Sequence, residues 1–360
     1  MRPRYRFGFV LSTGAGNRTR YLNLRKYAER DPSVECVWAT NPGVADQGSL
    51  RARVETLRLA KPVLDDLGRL DAVVFHAFEP YAWTALRSLV ARRPLLVWSQ
   101  DDPPTRDPRY WQHYGLVDRA SWRTALRYRI DRWCAGRVEL FFPFSRWAGN
   151  VLIGDCGVAE DKVHAVHVGV DLEQWPRVPA RREGHRPRLL FVGGAFERKG
   201  GDLLVETFRR HFTGRAELHL VTPAAPEGLP PGVHVHRDLQ PNEGRLARLY
   251  AEADIFVLPT HSDFSPFVVL EAMASGLPVV ATDVTALPEM VRDGEAGFIV
   301  APSDGEALAA RIDRLLGDAE LRRRMGDRGR ARVEEAYSSA VSVPRMLARM
   351  KEAVDRAGRA

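Results

Sequence analysis

The sequence predicts two doubly wound α/β domains joined by a linker. Three observations carry that reading. Short, continuously apolar runs alternate with helical patterns, as in a parallel sheet buried on both faces. The alternation halts at a polar Pro/Arg/Gly-rich stretch, "DLEQWPRVPARREGHRP" (171–187), and then restarts. With 360 residues the chain is also long enough for two domains.

The elements follow in order. "YRFGFVLS" (5–12) reads as a strand, 18–30 as a helix and "SVECVWAT" (33–40) as a strand. A long helical pattern, "SLRARVETLRLAKPVLDDLGR", comes next, with Pro62 as its break. The strand "DAVVFHAF" (71–78), a helix near 80–92, the strand "PLLVWS" (94–99), a helix near 118–135 and the strand "VELFFPFS" (138–145) complete the first half. After the linker, six strands are expected: 188–194, 216–222, 233–239, 254–259, 278–283 and 297–302, with helices between them. The boundaries are 1–171 for the N-terminal domain, 172–187 for the linker, 188–337 for the C-terminal domain and 338–360 for a last helix. Sheets of this kind bind ligands at the carboxyl ends of their strands.

Composition narrows the function. No run of 18 apolar residues occurs, so no transmembrane helix is expected. The apolar stretch near the start is too short for a signal peptide. Three cysteines (Cys36, Cys134, Cys156), with neither CxxC nor metal spacing, predict reduced thiols in a cytoplasmic protein. The net charge of +7 resides wholly in residues 1–180, which hold 27 basic and 20 acidic residues; the rest hold 26 of each. A basic half suits an anionic partner. Only five of the 53 basic residues are lysine, so individual arginines say little, and Lys199 is an unusual choice.

Three loops carry chemistry. "STGAGNRTR" (12–20) puts Gly14 and Gly16 between the first strand and a helix, where backbone can approach an anion. Thr19 replaces the third glycine of a dinucleotide fingerprint, and a plain strand-to-helix turn explains the loop equally well. "FVGGAFERKGGDLLVETF" (191–208) sets Arg198 and Lys199 between two glycine pairs at the start of a helix. A flat fork of donors and a point charge beside helix amides suit a diphosphate. A solvated basic turn is the alternative. "HSDFSPFVVLEAMASGLPVVATD" (261–283) places Asp263 eight residues before Glu271, which is read as the start of a helical "EAMASG" segment. Such an acid can accept two hydrogen bonds from a cis-diol, or simply favour a helix N-terminus.

Together with "LARLYAEADIFVLPT" and "VHAVHVGVDLEQW", these stretches resemble the GT-B-fold retaining glycosyltransferases of the glycogen-synthase-like family, glycosyltransferase family 4. The resemblance covers residues 138–335 well and the first 137 loosely. It implies two Rossmann-like domains facing across a cleft, the N-terminal one on the acceptor side, with the last helix crossing back and hinge parts at Pro176 and Pro179. It implies a hexosyltransferase reaction from a nucleotide-diphosphate sugar, UDP or GDP, with no prosthetic group. Arg198 and Lys199 would hold the diphosphate, Asp263 the donor sugar and Glu271 the ribose. Gly14, Gly16, Gly194, Ser265, Phe267 and Val268 would complete the donor site. The family's E-x7-E begins here with Asp, and Pro266 stands where Gly is frequent. Gln100 replaces a family histidine, and His76 keeps only the first half of a His-x-His.

No D-x-D occurs, so no metal is expected and the Arg-Lys pair would take its place. Gln100, Asp101, Asp102 and Tyr110, in "WSQDDPPTRDPRYWQHYG" (98–115), would join His76 in binding a hydroxyl acceptor, whether saccharide, lipid-linked or small molecule. No nucleic-acid partner is expected. The helix 118–135 carries Trp122, Leu126, Ile130 and Trp133 on one face and arginines on another. Core packing is the favoured reading of that face; weak peripheral contact with the inner membrane face is the other. A sugar-nucleotide epimerase and a non-catalytic sugar-nucleotide binder are the alternative functions.

Overall fold

The computed structural model describes residues 3–12, 17–41, 58–76, 85–103, 122–175, 186–239 and 244–358. The described chain forms two compact units. The first contains the N-terminal sheet together with the C-terminal residues from Ser339; the second runs from Gly169 to Ser338.

The first unit is a five-stranded sheet of β1 (Tyr5–Ser12), β2 (Val34–Asn41), β3 (Ala72–Phe75), β4 (Leu95–Gln100) and β5 (Leu140–Pro143). The strand order is β2-β1-β3-β4-β5, and every pairing is parallel. Its helices are α1 (Asn17–Ala28), α2 (Lys61–Asp65), α3 (Trp122–Ala135) and α4 (Arg146–Gly154). Pro62 stands in the first turn of α2, where its missing N–H costs nothing, so the proline starts a short helix instead of kinking a long one. Alternate residues of each strand feed two cores. Phe7, Phe9, Val74 and Val97 face α1, whereas Val10, Val73, Phe75 and Trp98 face α2 and α4. This two-sided burial explains the continuously apolar strands.

The second unit is a six-stranded parallel sheet: β6 (Arg188–Val192), β7 (Glu217–Val221), β8 (Val233–His236), β9 (Ile255–Leu258), β10 (Val279–Thr282) and β11 (Gly297–Val300). The order is β11-β10-β9-β6-β7-β8. Its helices are α5 (Gly201–His211), α6 (Gly244–Glu252), α7 (Phe267–Ala274), α8 (Leu287–Val291), α9 (Gly305–Gly317) and α10 (Ala319–Arg332). One core runs through both faces of this sheet. The doubly wound α/β architecture with parallel sheets is therefore as the sequence predicts. Strand ends shift by at most three residues.

The expected linker is not all linker. Trp175 is buried in the second unit, edge-on to Tyr250 at 5.1 Å, and its carbonyl accepts from Arg330 Nη1 (2.6 Å). Pro176 and Pro179 lie outside the described residues. The chain enters this unit beside the place where it leaves: Val170 N donates to Tyr337 O (2.9 Å), and Val170 and Ser338 form a β-bridge. The last helix, α11 (Ser339–Ala357), belongs to the first unit. Val343, Met346, Leu347 and Met350 enter the core that Leu24 and Tyr27 of α1 line. Asp355 accepts from Arg4 (2.8 Å) and from Tyr5 Oη (3.0 Å).

Candidate active site

In the second unit, β6 runs into the turn 193–200, which precedes α5. The turn closes on itself: Lys199 N donates to Ala195 O (3.0 Å) and Gly201 N to Phe196 O (2.9 Å). Arg198 and Lys199 thus lie in the turn, ahead of the helix and not at its first residues. The flanking glycines have separate reasons. Gly200 is the N-cap with φ 73°, and a Cβ there would come 2.0 Å from Pro259 O. Gly193 lies under the Lys199 stem, whose Cδ a Cβ would meet at 2.5 Å.

The pairing of β6 with β9 sets the loop after β9 against this turn. Arg198 O accepts from His261 N (2.9 Å) and Thr260 Oγ1 (3.1 Å), and Arg198 Nη1 donates to Ser262 O. Lys199 Nζ donates to Asp263 Oδ2 at 2.6 Å. Asp263 is fixed from its other side too. Thr285 Oγ1 donates to Asp263 O and Phe264 O, while Asp263 Oδ1 accepts from Phe264 N (3.1 Å). Thr285 holds a left-handed φ of 48°, the kind of strain that gathers at functional loops.

The same loop opens α7. Pro266 is its N-cap and offers no capping side chain. Glu271 is the fifth residue of this helix, which begins one turn earlier than the start at Glu271 that the sequence suggested. It is buried and accepts from Tyr250 Oη (3.0 Å). Burial pushes its carboxyl up to about 7, with the Tyr250 hydrogen bond and the Lys199 charge opposing the rise. Burial and Glu271 together push the Tyr250 phenol up as well. Ser265 is buried, and its Oγ has no hydrogen-bond partner among the described residues. Arg198, Lys199, Asp263, Ser265, Phe267, Val268 and Glu271 therefore sit on two adjacent loops and the helix that follows. Tyr250 was not singled out from sequence; it stands in the quoted "LARLYAEADIF", five residues before β9.

The predicted acceptor residues lie in the first unit. His76 and Gln100 are buried at the carboxyl ends of β3 and β4. His76 Nε2 is 3.8 Å from Asp101 Oδ1, and its ring stacks on Phe144. Burial and the charge of Arg20 bring the His76 imidazole down to about 4, so it is neutral at pH 7. Ligand atoms of His76, Asp101 and Asp102 lie within 4.8 Å of one another, but the nearby Arg20 charge opposes a cation there. Gly14, Gly16 and Tyr110 lie outside the described residues.

Arg20 is the residue that sequence reasoning missed. Fully buried on α1, it donates from Nη2 to Ser99 O (2.9 Å) and Ser99 Oγ (3.0 Å) and lies over the Phe144 ring. Its Nε and Nη1 have no hydrogen-bond partner among the described residues. Burial brings its guanidinium down to about 9.

The apolar face of α3 departs from the favoured expectation. Leu126, Ile130 and Trp133 are 48%, 38% and 50% exposed, and the core takes Cys134 and Ala135 instead. Among the described residues no helix is long and apolar enough to cross a membrane.

Known proteins match this arrangement. The "Glycosyl transferases group 1" family profile matches residues 186–318, which hold the Arg198–Lys199 turn and the Asp263–Glu271 segment. The MMP alpha-(1->4)-mannosyltransferase of Mycolicibacterium hassiacum is 32% identical over 270 residues, 68% of this chain. That match spans 62% of the mannosyltransferase, less than two thirds of its length. The alpha-maltose-1-phosphate synthase of Mycolicibacterium smegmatis is 32% identical over 88% of both chains. The solved sucrose-phosphate synthase of Thermosynechococcus elongatus superposes with a TM-score of 0.77 over 97% of this chain and 99% of its own, at 18% identity, a likeness of fold. With the profile falling on the donor-side loops and the synthase matched along nearly its whole length, the chain belongs to the group 1 glycosyl transferases.

Proposed function

We propose that this protein is a retaining glycosyltransferase of the hexosyltransferase type. It moves a sugar from a nucleotide-diphosphate sugar to a hydroxyl acceptor without a metal ion. The observation that carries the proposal is the convergence of Arg198, Lys199 and Asp263 on the adjoining loops of β6 and β9, with Glu271 on the helix α7 that follows. Family membership favours transfer over epimerisation or binding alone.

In this reading Arg198 and Lys199 hold the diphosphate. The sugar C1–O bond to phosphate breaks while the acceptor oxygen bonds to C1 on the same face, and the acceptor proton passes to the departing phosphate oxygen. Negative charge grows on that phosphate, and fixed cations stabilise it more in the transition state than in the ground state. Asp263 holds the Lys199 ammonium in place and meets the sugar hydroxyls through its remaining lone pairs. Glu271, ionised when the nucleotide is bound, accepts from the ribose diol. Ser265 and the first turn of α7 face the sugar and phosphate. In the first unit, His76, Gln100, Asp101 and Asp102 bind the acceptor; Gln100 offers hydrogen bonds but no acid or base. The exposed face of Leu126, Ile130 and Trp133, flanked by exposed Arg129, Arg132 and Arg137, supports a weak peripheral membrane contact.

The test is turnover of a UDP, GDP, ADP and TDP sugar panel in EDTA. Release of the nucleoside diphosphate, accelerated by an acceptor and lost in Arg198→Ala and Lys199→Ala, is expected. An isomerised sugar nucleotide, or binding with no turnover across a broad acceptor panel, would sink the reading.

A further inference from the structure

A second cluster of ligating side chains lies on the two strands outside β6, on one face of β7 and the edge strand β8. Parallel pairing sets His219 opposite His234 and Val221 opposite His236. Because side chains alternate along a strand, Glu217, His219, His234 and His236 share that face. Ligand atoms of Glu217, His219 and His234 all lie within 4.8 Å of one another.

The contacts inside the cluster are suggestive. His219 Nδ1 and His236 Nε2 are 3.1 Å apart, a hydrogen bond between two rings. His219 Nε2 is buried, has no hydrogen-bond partner among the described residues and faces Glu217 Oε2 at 3.6 Å. A tetrahedral ion with metal–ligand bonds of ~2.0–2.1 Å holds neighbouring ligand atoms about 3.3 Å apart. The existing N···O gap is therefore close to the bite of such an ion. In the tautomer whose Nδ1–H donates to His236, His219 Nε2 offers its lone pair toward Glu217, where a cation can bridge the two. His236 then plays the outer partner that orients a ligating imidazole. Two imidazoles and a carboxylate select a borderline divalent ion over Mg²⁺ or Ca²⁺.

The other charged groups at the cluster are few. Arg188 Nε donates to Glu217 Oε2 (3.0 Å), and Arg188 Nη1 reaches Glu252 on α6 (2.9 Å). The same Oε2 keeps a second lone pair for an ion, and ligating carboxylates commonly keep a hydrogen-bond donor. The Arg245 charge on α6 opposes a cation beside the His236 ring, which fits an outer and not a ligating role.

We infer that Glu217, His219 and His234 form a binding site for a Zn²⁺-class divalent cation, with His236 orienting His219. The site ties the edge strand to β7 and is independent of the transfer chemistry. The test uses the full chain, stripped with EDTA and dialysed, titrated calorimetrically with ZnCl₂ and in parallel with MgCl₂. One saturable Zn²⁺ per chain is expected, with no Mg²⁺ binding. His234→Ala, at an exposed position that leaves the core untouched, and His219→Gln should each weaken Zn²⁺ at least ~10-fold. His236→Ala should cost about 10- to 100-fold, as lost outer partners do. Circular dichroism confirms that each variant is folded. Absence of saturable Zn²⁺ binding overturns the inference, as does undiminished binding in the folded His219→Gln/His234→Ala double variant.

Discussion

Lys199 and Asp263, 64 residues apart in sequence, meet as an ion pair at 2.6 Å, each side chain only 14% exposed. The pair is shielded enough to matter. Removing one partner of such a pair leaves the other charge without compensation, which costs roughly 3–5 kcal/mol at fully buried sites and less here because of the residual exposure. Lys199→Ala is expected to lower thermal stability measurably and to reduce kcat ~10²–10³-fold, the scale of one lost transition-state donor. Asp263→Ala should lower stability similarly but raise KM for the donor more than it lowers kcat. Equal stability of Lys199→Ala and wild type by calorimetry would contradict the pairing.

Glu271 makes stability depend on pH in a stated direction. Its carboxyl sits at about 7 in the fold against an ordinary value of 4.5. The folded state therefore holds a proton that the unfolded chain has lost across pH 4.5 to 7. In that window stability falls as pH rises, by ~2–4 kcal/mol in all, and the contribution is gone above pH 7. Glu271→Gln should remove this slope in denaturant melts taken from pH 5 to 8. In the same variant nucleotide affinity should no longer strengthen between pH 6 and 8, because in the proposed donor site only the ionised carboxylate would accept both ribose hydroxyls. Parallel stability profiles for the two proteins would show that Glu271 is not the group.

How much of this was legible in the sequence depends on what each feature needs. Alternation of strand and helix is local, so both sheets could be read. The Arg198–Lys199 turn and the Asp263–Glu271 spacing stood out as motifs. Their meeting did not, because it depends on β6 pairing with β9, strands not consecutive in the chain. The start of α7 was misplaced because the helix is buried and apolar all round, with Phe267, Val268, Val269 and Leu270 in its first turn. An all-apolar helix shows no period. Arg20 was hidden by abundance: among so many arginines, its burial over Phe144 had no sequence signal.

Arg20 and His76 give a spectroscopic test. Burial first, and the Arg20 charge second, bring His76 down to about 4. Arg20→Met removes the second cause and leaves the first. The His76 midpoint, followed by NMR of the imidazole, is expected to rise but stay below the ordinary 6.5. An unmoved midpoint would mean that the guanidinium does not act on this ring.

The glycines at 194 and 200 should respond oppositely to alanine. At Gly200, φ of 73° and a Cβ 2.0 Å from Pro259 O force the backbone to move. Strain of this kind costs ~1–3 kcal/mol before the steric clash is added. A Cβ at Gly194 would meet nothing within 4 Å. Gly194→Ala should leave the unfolding free energy within the ordinary surface range, about ±0.5 kcal/mol. If Gly194 lies where the diphosphate approaches, the same change raises KM for the donor. Unaltered donor kinetics in Gly194→Ala would remove this glycine from the site.

Ser265 separates binding from folding most cleanly. Its hydroxyl is buried with no hydrogen-bond partner among the described residues, a state that costs the folded chain free energy. Ser265→Ala removes the unsatisfied group along with its small volume, so stability should hold or rise slightly. Without the hydroxyl, a sugar or phosphate oxygen that it would serve loses one partner, worth about 0.5–1.5 kcal/mol for a neutral acceptor and ~1.5–3 kcal/mol for a charged one. A weakened donor Kd with an unchanged or higher melting temperature is the expected result. A drop in stability with donor affinity intact would mean that the hydroxyl belongs to the fold and has no part in the donor site.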